Sequence, residues 1–289
     1  MKKALIAALI SAAAFSIFAG PYEGTAGLLL NPVTNTYTFE DTVKNIEVNC
    51  SECDIKLSPG EDDSIRVVCK EADRIHHTVQ VKNDTLMVDR DKDKGFSLSF
   101  GTIRELVVEI YLPEKEYEEL SVSSSSGDID IDEDFLFDSI TLESSSGDVE
   151  CEASVSGTLR AETTSGDQEY EGVSAGNVTV HSSSGEISLS TVRCAKADIK
   201  ASSGDVELED VIVDGKLEIE TSSGEVEMRK CDAGSIRIET SSGDVTGSLL
   251  SKKNFSTKTS SGDVHIPDSP EGGSCEIRTS SGDIRITVK

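Results

Sequence analysis

The stretch Ala201-Ser202-Ser203-Gly204-Asp205-Val206-Glu207-Leu208 is echoed further along the chain by Thr221-Ser222-Ser223-Gly224-Glu225-Val226-Glu227-Met228. The same phrase, Ser-Ser-Gly-Asp or a close variant, recurs with its glycine at Gly127, Gly147, Gly166, Gly185, Gly204, Gly224, Gly243, Gly262 and Gly282. A fixed period of about 20 residues marks a solenoid, because one such repeat cannot bury its own apolar face and must stack on its neighbours.

Apolar residues alternate on both sides of each glycine. Leu217 and Ile219 precede Gly224, and Val226 and Met228 follow it. Ile236 and Ile238 precede Gly243, and Val206 and Leu208 follow Gly204. Period-two alternation gives two short strands per coil with one buried face, while Glu207, Glu218, Glu220 and Glu227 fall on the solvent side. A third apolar position lies about seven residues after the glycine, at Val173, Val192, Val211, Cys231 and Leu250. Three short sides per coil predict an all-β fold, a single-stranded parallel β-helix (β-solenoid) of about nine coils, one for each copy of the phrase.

The phrase itself reads as a corner. Glycine supplies backbone freedom for a turn with φ > 0, and stacked serines such as Ser203, Ser223 and Ser242 can bond from coil to coil. The residue after the glycine is acidic throughout: Asp128, Asp148, Asp167, Glu186, Asp205, Glu225, Asp244, Asp263 and Asp283. Carboxylates at the coil spacing of about 4.8 Å repel by about 1 kcal/mol in water and about 3.5 kcal/mol at an effective dielectric of 20, so a dry ladder is implausible. Asp can instead bond nearby backbone, and a structural column is the leading expectation. The alternative is a cation column, although the calcium-binding nonapeptide roll needs a nine-residue period that this chain lacks.

Outside the repeats the chain changes character. Met1-Lys2-Lys3 followed by the uncharged Ala4 to Tyr22 predicts a signal peptide or an apolar anchor helix over residues 1–22. Residues 23–36 read as a linker, 37–113 as an N-terminal β region that caps the rod or forms degenerate coils, and 114–289 as the repeat solenoid. Within the β region, Ile46–Val48, Ile65–Val68, Val79–Val81, Leu86–Val88 and Leu106–Ile110 are strand candidates. Cys53-Asp54-Ile55-Lys56-Leu57 resembles a decayed copy of the phrase and its strand.

Other chemistries find little support. Cys50-Ser51-Glu52-Cys53 has CxxC spacing, yet no second pair and no histidine at ligand spacing accompany it, so no metal site is expected. Cys151, Cys194, Cys231 and Cys275 read as small core residues. His76, His77, His181 and His265 give no catalytic triad, and His181 and His265 fall on outward positions. A formal net charge of −27 over 289 residues opposes nucleic-acid binding, which needs a basic face, and Lys115, Lys252 and Lys253 do not alter it. No glycine-rich phosphate loop is present, and no cofactor is expected.

Three further segments bear on family. Thr36-Tyr37-Thr38-Phe39, then Val107-Val108-Glu109-Ile110-Tyr111-Leu112-Pro113, then Leu120-Ser121-Val122 run in order into the serial phrase. With it they resemble the bacterial putative-adhesin family of unknown function, from about residue 35 to 289. The resemblance implies a β-strand-repeat solenoid at the cell envelope, often near stress-response systems, and supplies no catalytic residues. The expectation is therefore a non-enzymatic, extracytoplasmic envelope protein, membrane-anchored through its N-terminal segment or secreted. It is an adhesin-like interaction or envelope-stress module with an acidic surface and a protein or glycan partner. A polysaccharide-active β-helix enzyme and cation-dependent adhesion through the acidic column are the alternatives.

Overall fold

The computed structural model describes residues 33–71, 75–91, 106–268 and 271–289. The apolar segment 1–22 and the linker up to residue 32 lie outside the described residues. What is described is all-β. Among the described residues no helix is long and apolar enough to cross a membrane.

Seven described strands precede the first repeat coil: β1 (Val33–Phe39), β2 (Asn45–Asn49), β3 (Asp54–Pro59), β4 (Ile65–Glu71), β5 (His77–Lys82), β6 (Thr85–Arg90) and β7 (Val107–Leu112). The expected strands of this region are all present, and β1 claims the last residues assigned to the linker. Each later coil contributes a longer strand before its phrase and a shorter one after it. These are β8 (Glu116–Ser124) with β9 (Ile129–Ile131), β10 (Leu136–Ser144) with β11 (Val149–Cys151), and β12 (Ser154–Thr163) with β13 (Gln168–Glu171). They continue as β14 (Ser174–Ser182) with β15 (Ile187–Ser190), and β16 (Arg193–Ala201) with β17 (Val206–Glu209). Then come β18 (Ile212–Thr221), the double-length β19 (Val226–Thr240) that serves two sides, and β20 (Val245–Leu249). The chain closes with β21 (Lys253–Lys258), β22 (Val264–His265), β23 (Gly273–Arg278) and β24 (Ile284–Val288).

The longer strands stack in parallel register as a leading sheet and the shorter ones as a trailing sheet. Inward residues of the two sheets, such as Leu142, Ile199 and Ile219 from one and Ile187, Leu189 and Leu208 from the other, make one continuous core. The third expected side is not a sheet of its own. It is the first part of each leading strand, set off by a register irregularity such as Cys194/Ala197 or Val213/Lys216, a β-bulge that bends the strand. Val173, Val192, Val211 and Cys231 are buried as expected, at the corner that leads into this side, whereas Leu250 is 43% exposed and Leu249 takes the inward position.

Layer order departs from chain order at both ends of the rod. Strand β2 pairs with both β6 and β8, and β3 with both β7 and β9, so the first coil lies beneath the third and the second coil covers it from outside. At the other end β23 lies between β19 and β21, and β24 between β20 and β22. The C-terminal coil is thus inserted under the one that precedes it. Antiparallel strands finish the N-terminal end, with β5 on β6, β4 on β7 and β1 on β4.

Candidate functional site

The phrase forms one column along the rod, and its geometry explains its composition. The position of a Cβ on each of the nine phrase glycines falls 1.8–2.2 Å from the carbonyl oxygen of the layer beneath, which is Cys53 under Gly127, Gly185 under Gly204 and Gly282 under Gly262. Glycine is required there by close backbone approach. The expected positive φ is not found at these residues. It occurs at the other corner, six residues later, at Gly172 (φ 68°), Thr191 (57°), Asp210 (54°) and Lys230 (56°).

Hydroxyls and carboxylates complete the column. The buried Ser124, Ser144 and Ser182 hydroxyls accept the Gly127, Gly147 and Gly185 amides at 2.9–3.0 Å, and Thr221 and Thr240 accept those of Gly224 and Gly243 at 3.1 Å. The expected hydroxyl pairing of Ser203, Ser223 and Ser242 is replaced by backbone bonds, such as Ser203 N to Ser183 O at 3.0 Å and Ser242 N to Ser222 O at 3.1 Å. Each aspartate Oδ1 accepts the amide of its counterpart one layer on. Asp148 donates to Asp128, Asp167 to Asp148, Glu186 to Asp167, Glu225 to Asp205, Asp283 to Asp244 and Asp263 to Asp283, at 2.8–2.9 Å. Asp54 holds Asp128 in the same way at 3.1 Å.

The two outer faces differ in charge. On the trailing sheet Asp130, Glu150 and Glu169 are in register, and beyond Ser188 come Glu207 and Glu227. Burial, with the charges of Asp130 and Glu169 adding to it, raises the Glu150 carboxyl above its ordinary value. The leading sheet carries Glu143, Glu162, His181, Lys200, Glu220, Glu239, Arg278 and Lys258 in register. Lys200 reaches Glu220 at 3.4 Å and Arg278 reaches Glu239 at 3.1 Å, so opposite charges meet along it. Between this column and the phrase serines runs an open groove of about 1100 Å³, continuous from Ser123 in the first phrase layer to Ser260 in the outermost one.

At the N-terminal end the column changes chemistry. Cys50 and Cys53 form a disulfide across the corner, and His77 points Nε2 at Cys50 Sγ (3.1 Å) and Cys53 Sγ (3.7 Å). Behind it His77 Nδ1 meets Glu71 Oε1 at 3.1 Å, and the same carboxylate accepts the His77 amide and Asn35 Nδ2. Burial pushes the Glu71 carboxyl up, but the hydrogen bonds from the His77 and His76 rings, the His77 amide and Asn35 outweigh it and leave it below its ordinary value. Spacing gave no sign of this histidine, because the antiparallel hairpin of β5 and β6 folds it back onto the cysteines from well outside ligand spacing. Of the other histidines, His265 is exposed and His181 half-buried beside Glu162.

The family model described as Toastrack DUF4097 matches residues 43–267 and 215–289. No curated protein matches the chain. Among solved structures, a putative adhesin from Parabacteroides distasonis ATCC 8503 aligns at 11% identity with a TM-score of 0.51, covering 89% of this chain and 98% of that one. A putative adhesin from Parabacteroides merdae ATCC 43184 aligns at 14% identity with a TM-score of 0.49, covering 88% and 95%. A putative lipid binding protein from Parabacteroides distasonis ATCC 8503 aligns at 16% identity with a TM-score of 0.46, covering 87% and 96%. At such identities the likeness concerns the fold.

Proposed function

The chain belongs to the Toastrack DUF4097 family, and from that premise we propose that it is a non-enzymatic, adhesin-like protein of the cell envelope that binds a protein or glycan through its leading face. The observation that carries this reading is the continuity of that face. Among the described residues the groove runs past successive coils with no long loop to wall off a cleft, so contacts repeat from layer to layer instead of converging on one point. Repetition suits an extended polar partner, whose many weak contacts sum by multivalency. Charges of both signs along the column favour a ligand that itself carries both donors and acceptors, and the acidic stretch of the trailing face keeps polyanions away.

An extracytoplasmic location, anchored or secreted, follows in this proposal from the basic and apolar start of the sequence. The acidic phrase column is structural in the same proposal, since one oxygen of each ladder aspartate is engaged by a backbone amide.

Protease shaving of intact cells, followed by crosslinking through a photoreactive group at Ser145 or Ser222, tests the reading. Protection of the protein from external protease in intact cells removes the envelope assignment. Specific neighbours lost on Glu220→Lys with Glu239→Lys, at unchanged melting temperature, support the leading face. Neighbours that survive the reversal but are lost on Glu207→Lys with Glu227→Lys move the site to the trailing face.

A further inference from the structure

We propose that the first corner of the solenoid is a zinc site of the reduced protein, with Cys50 Sγ, Cys53 Sγ and His77 Nε2 as ligands, a water as the fourth, and Glu71 as the positioning residue behind His77. The inference is independent of the surface function.

Three observations converge on it. First, Cys50-Ser51-Glu52-Cys53-Asp54 occupies the corner that Ser124-Ser125-Ser126-Gly127-Asp128 occupies one layer up, since Cys53 O lies beneath Gly127 and Asp54 Oδ1 accepts the Asp128 amide. The two residues that elsewhere form the hydroxyl-to-glycine bond are here both sulfur. Second, all three donors are buried within 4.8 Å of one another, with Cys50 5%, Cys53 1% and His77 5% exposed. In the neutral tautomer that gives Nδ1–H to the Glu71 carboxylate, Nε2 is an acceptor facing two disulfide sulfurs that carry no hydrogen, so it is buried and aimed at the pair without a donor. Third, the nitrogen is already near ligand separation from both sulfurs, which would part to about 3.8 Å once the disulfide opens. Tetrahedral zinc with Zn–S of about 2.3 Å and Zn–N of about 2.0–2.1 Å separates nitrogen from sulfur by about 3.6 Å, and the separations here are 3.1 and 3.7 Å. The Glu71–His77 contact supplies the carboxylate that orients a ligating imidazole in such sites.

Formation requires the disulfide to open. A phosphine or dithiol reductant delivers two electrons to the Cys50–Cys53 bond and two thiols result. Zn²⁺ then forms two Zn–S bonds as two protons leave. A disulfide oxidant withdraws the two electrons, restores the S–S bond and releases the metal. One corner therefore holds either a disulfide or zinc, and zinc would add a bond from His77 on β5 to the first coil, whose β2 already pairs with β6 of the same hairpin.

The test titrates the full chain, reduced with a phosphine and desalted without air, with Co²⁺ as a coloured probe. One equivalent should produce tetrahedral ligand-field bands and thiolate-to-cobalt charge transfer, both bleached by Zn²⁺, while the oxidised chain should give neither. Cys50→Ser, Cys53→Ser and His77→Gln should weaken binding by more than about 100-fold, and Glu71→Gln by about 10–100-fold with charge transfer retained. Circular dichroism monitors the fold. Should a cysteine variant unfold, the reduced and oxidised forms of the unaltered chain decide by themselves. Three results would overturn the proposal: a folded, reduced chain without the tetrahedral spectrum, a spectrum unchanged in His77→Gln, or a disulfide that resists the phosphine while the fold stays intact.

Discussion

At the scale of the residue, the two corners of each coil obey different rules. The phrase corner lacks room, because a Cβ on Gly204 would lie 1.8 Å from the Gly185 oxygen and 2.6 Å from its carbon. Backbone on both sides cannot yield, so Gly204→Val should destabilise by roughly 3 kcal/mol in urea unfolding, the top of the common range for overpacked cores. The opposite corner lacks conformational ease. Thr191 holds φ 57° with an exposed, β-branched side chain, a geometry that costs an L-residue about 1–2 kcal/mol. Glycine loses about 0.5–1 kcal/mol through greater freedom of the unfolded chain. Thr191→Gly should therefore raise stability by up to about 1 kcal/mol in the same experiment, and a loss would show that Thr191 is held there by contacts of its side chain.

At the scale of the element, the out-of-order coil depends on one buried cation. Lys253 is 3% exposed at the start of β21 and donates to Asp232, to Ala233 O at 2.7 Å and to Ser251 Oγ at 2.8 Å. It thus reaches back past the inserted C-terminal coil to the layer beneath. Burial raises the Asp232 carboxyl, but bonds from Lys253 and Ser251, the Lys253 charge and the Ala233 amide bring it below its ordinary value. A depressed acid stabilises above its unfolded value near 4 and loses that contribution as pH falls through the folded one. Lys253→Met should cost about 2–3 kcal/mol at pH 7, less than a fully buried broken pair because Asp232 keeps some solvent, and the difference from the unaltered chain should shrink towards pH 3. Thermal melts at both pH values check it. Strands, core faces and the phrase were all legible because each is a local periodicity. Lys253 read as surface charge, and the coil order did not show, because similar repeats can occupy either layer and only the assembled stack chooses. Thr191 and Lys230 carry no turn signature, so the strained corner stayed hidden. The glycine column stood out by its recurrence, but it reads as a matter of conformation where crowding is the cause.

At the scale of the whole molecule, charge and layering dominate. Burial, followed by neighbouring carboxylates, raises Glu150, Glu152 and Glu186, the first by Asp130 and Glu169, the second by Glu133 and Glu150, the third by Glu207 and Asp167. A raised acid contributes stability below its unfolded value, near 4.3, and loses it as pH rises through the folded one. Asp62, Glu71, Glu218, Asp232 and Asp283 are depressed and act in the opposite sense, so stability should fall on acidification below about pH 4. The raised acids and the self-repulsion of the −27 charge should make the melting temperature higher at pH 5 than at pH 7.5. Added sodium chloride should flatten the difference, because charges more than about 8 Å apart are screened at physiological ionic strength. Millimolar Ca²⁺ and Mg²⁺ should act alike at neutral pH. Saturable, calcium-selective stabilisation would instead mark specific cation sites in the acidic column. The inserted last coil has one further consequence, for tension. Ile284 and Arg285 bond to β20 on one side and β22 on the other, while Ile286, Thr287 and Val288 pair with β20 alone, so a pull on Lys289 works first on one ladder and then meets a segment held on both sides. The outermost layer, β21 with β22, is an internal stretch of chain continued covalently at both ends. Under load, the outermost layer cannot leave as a free end, because the chain on both sides of it is built into the layers beneath.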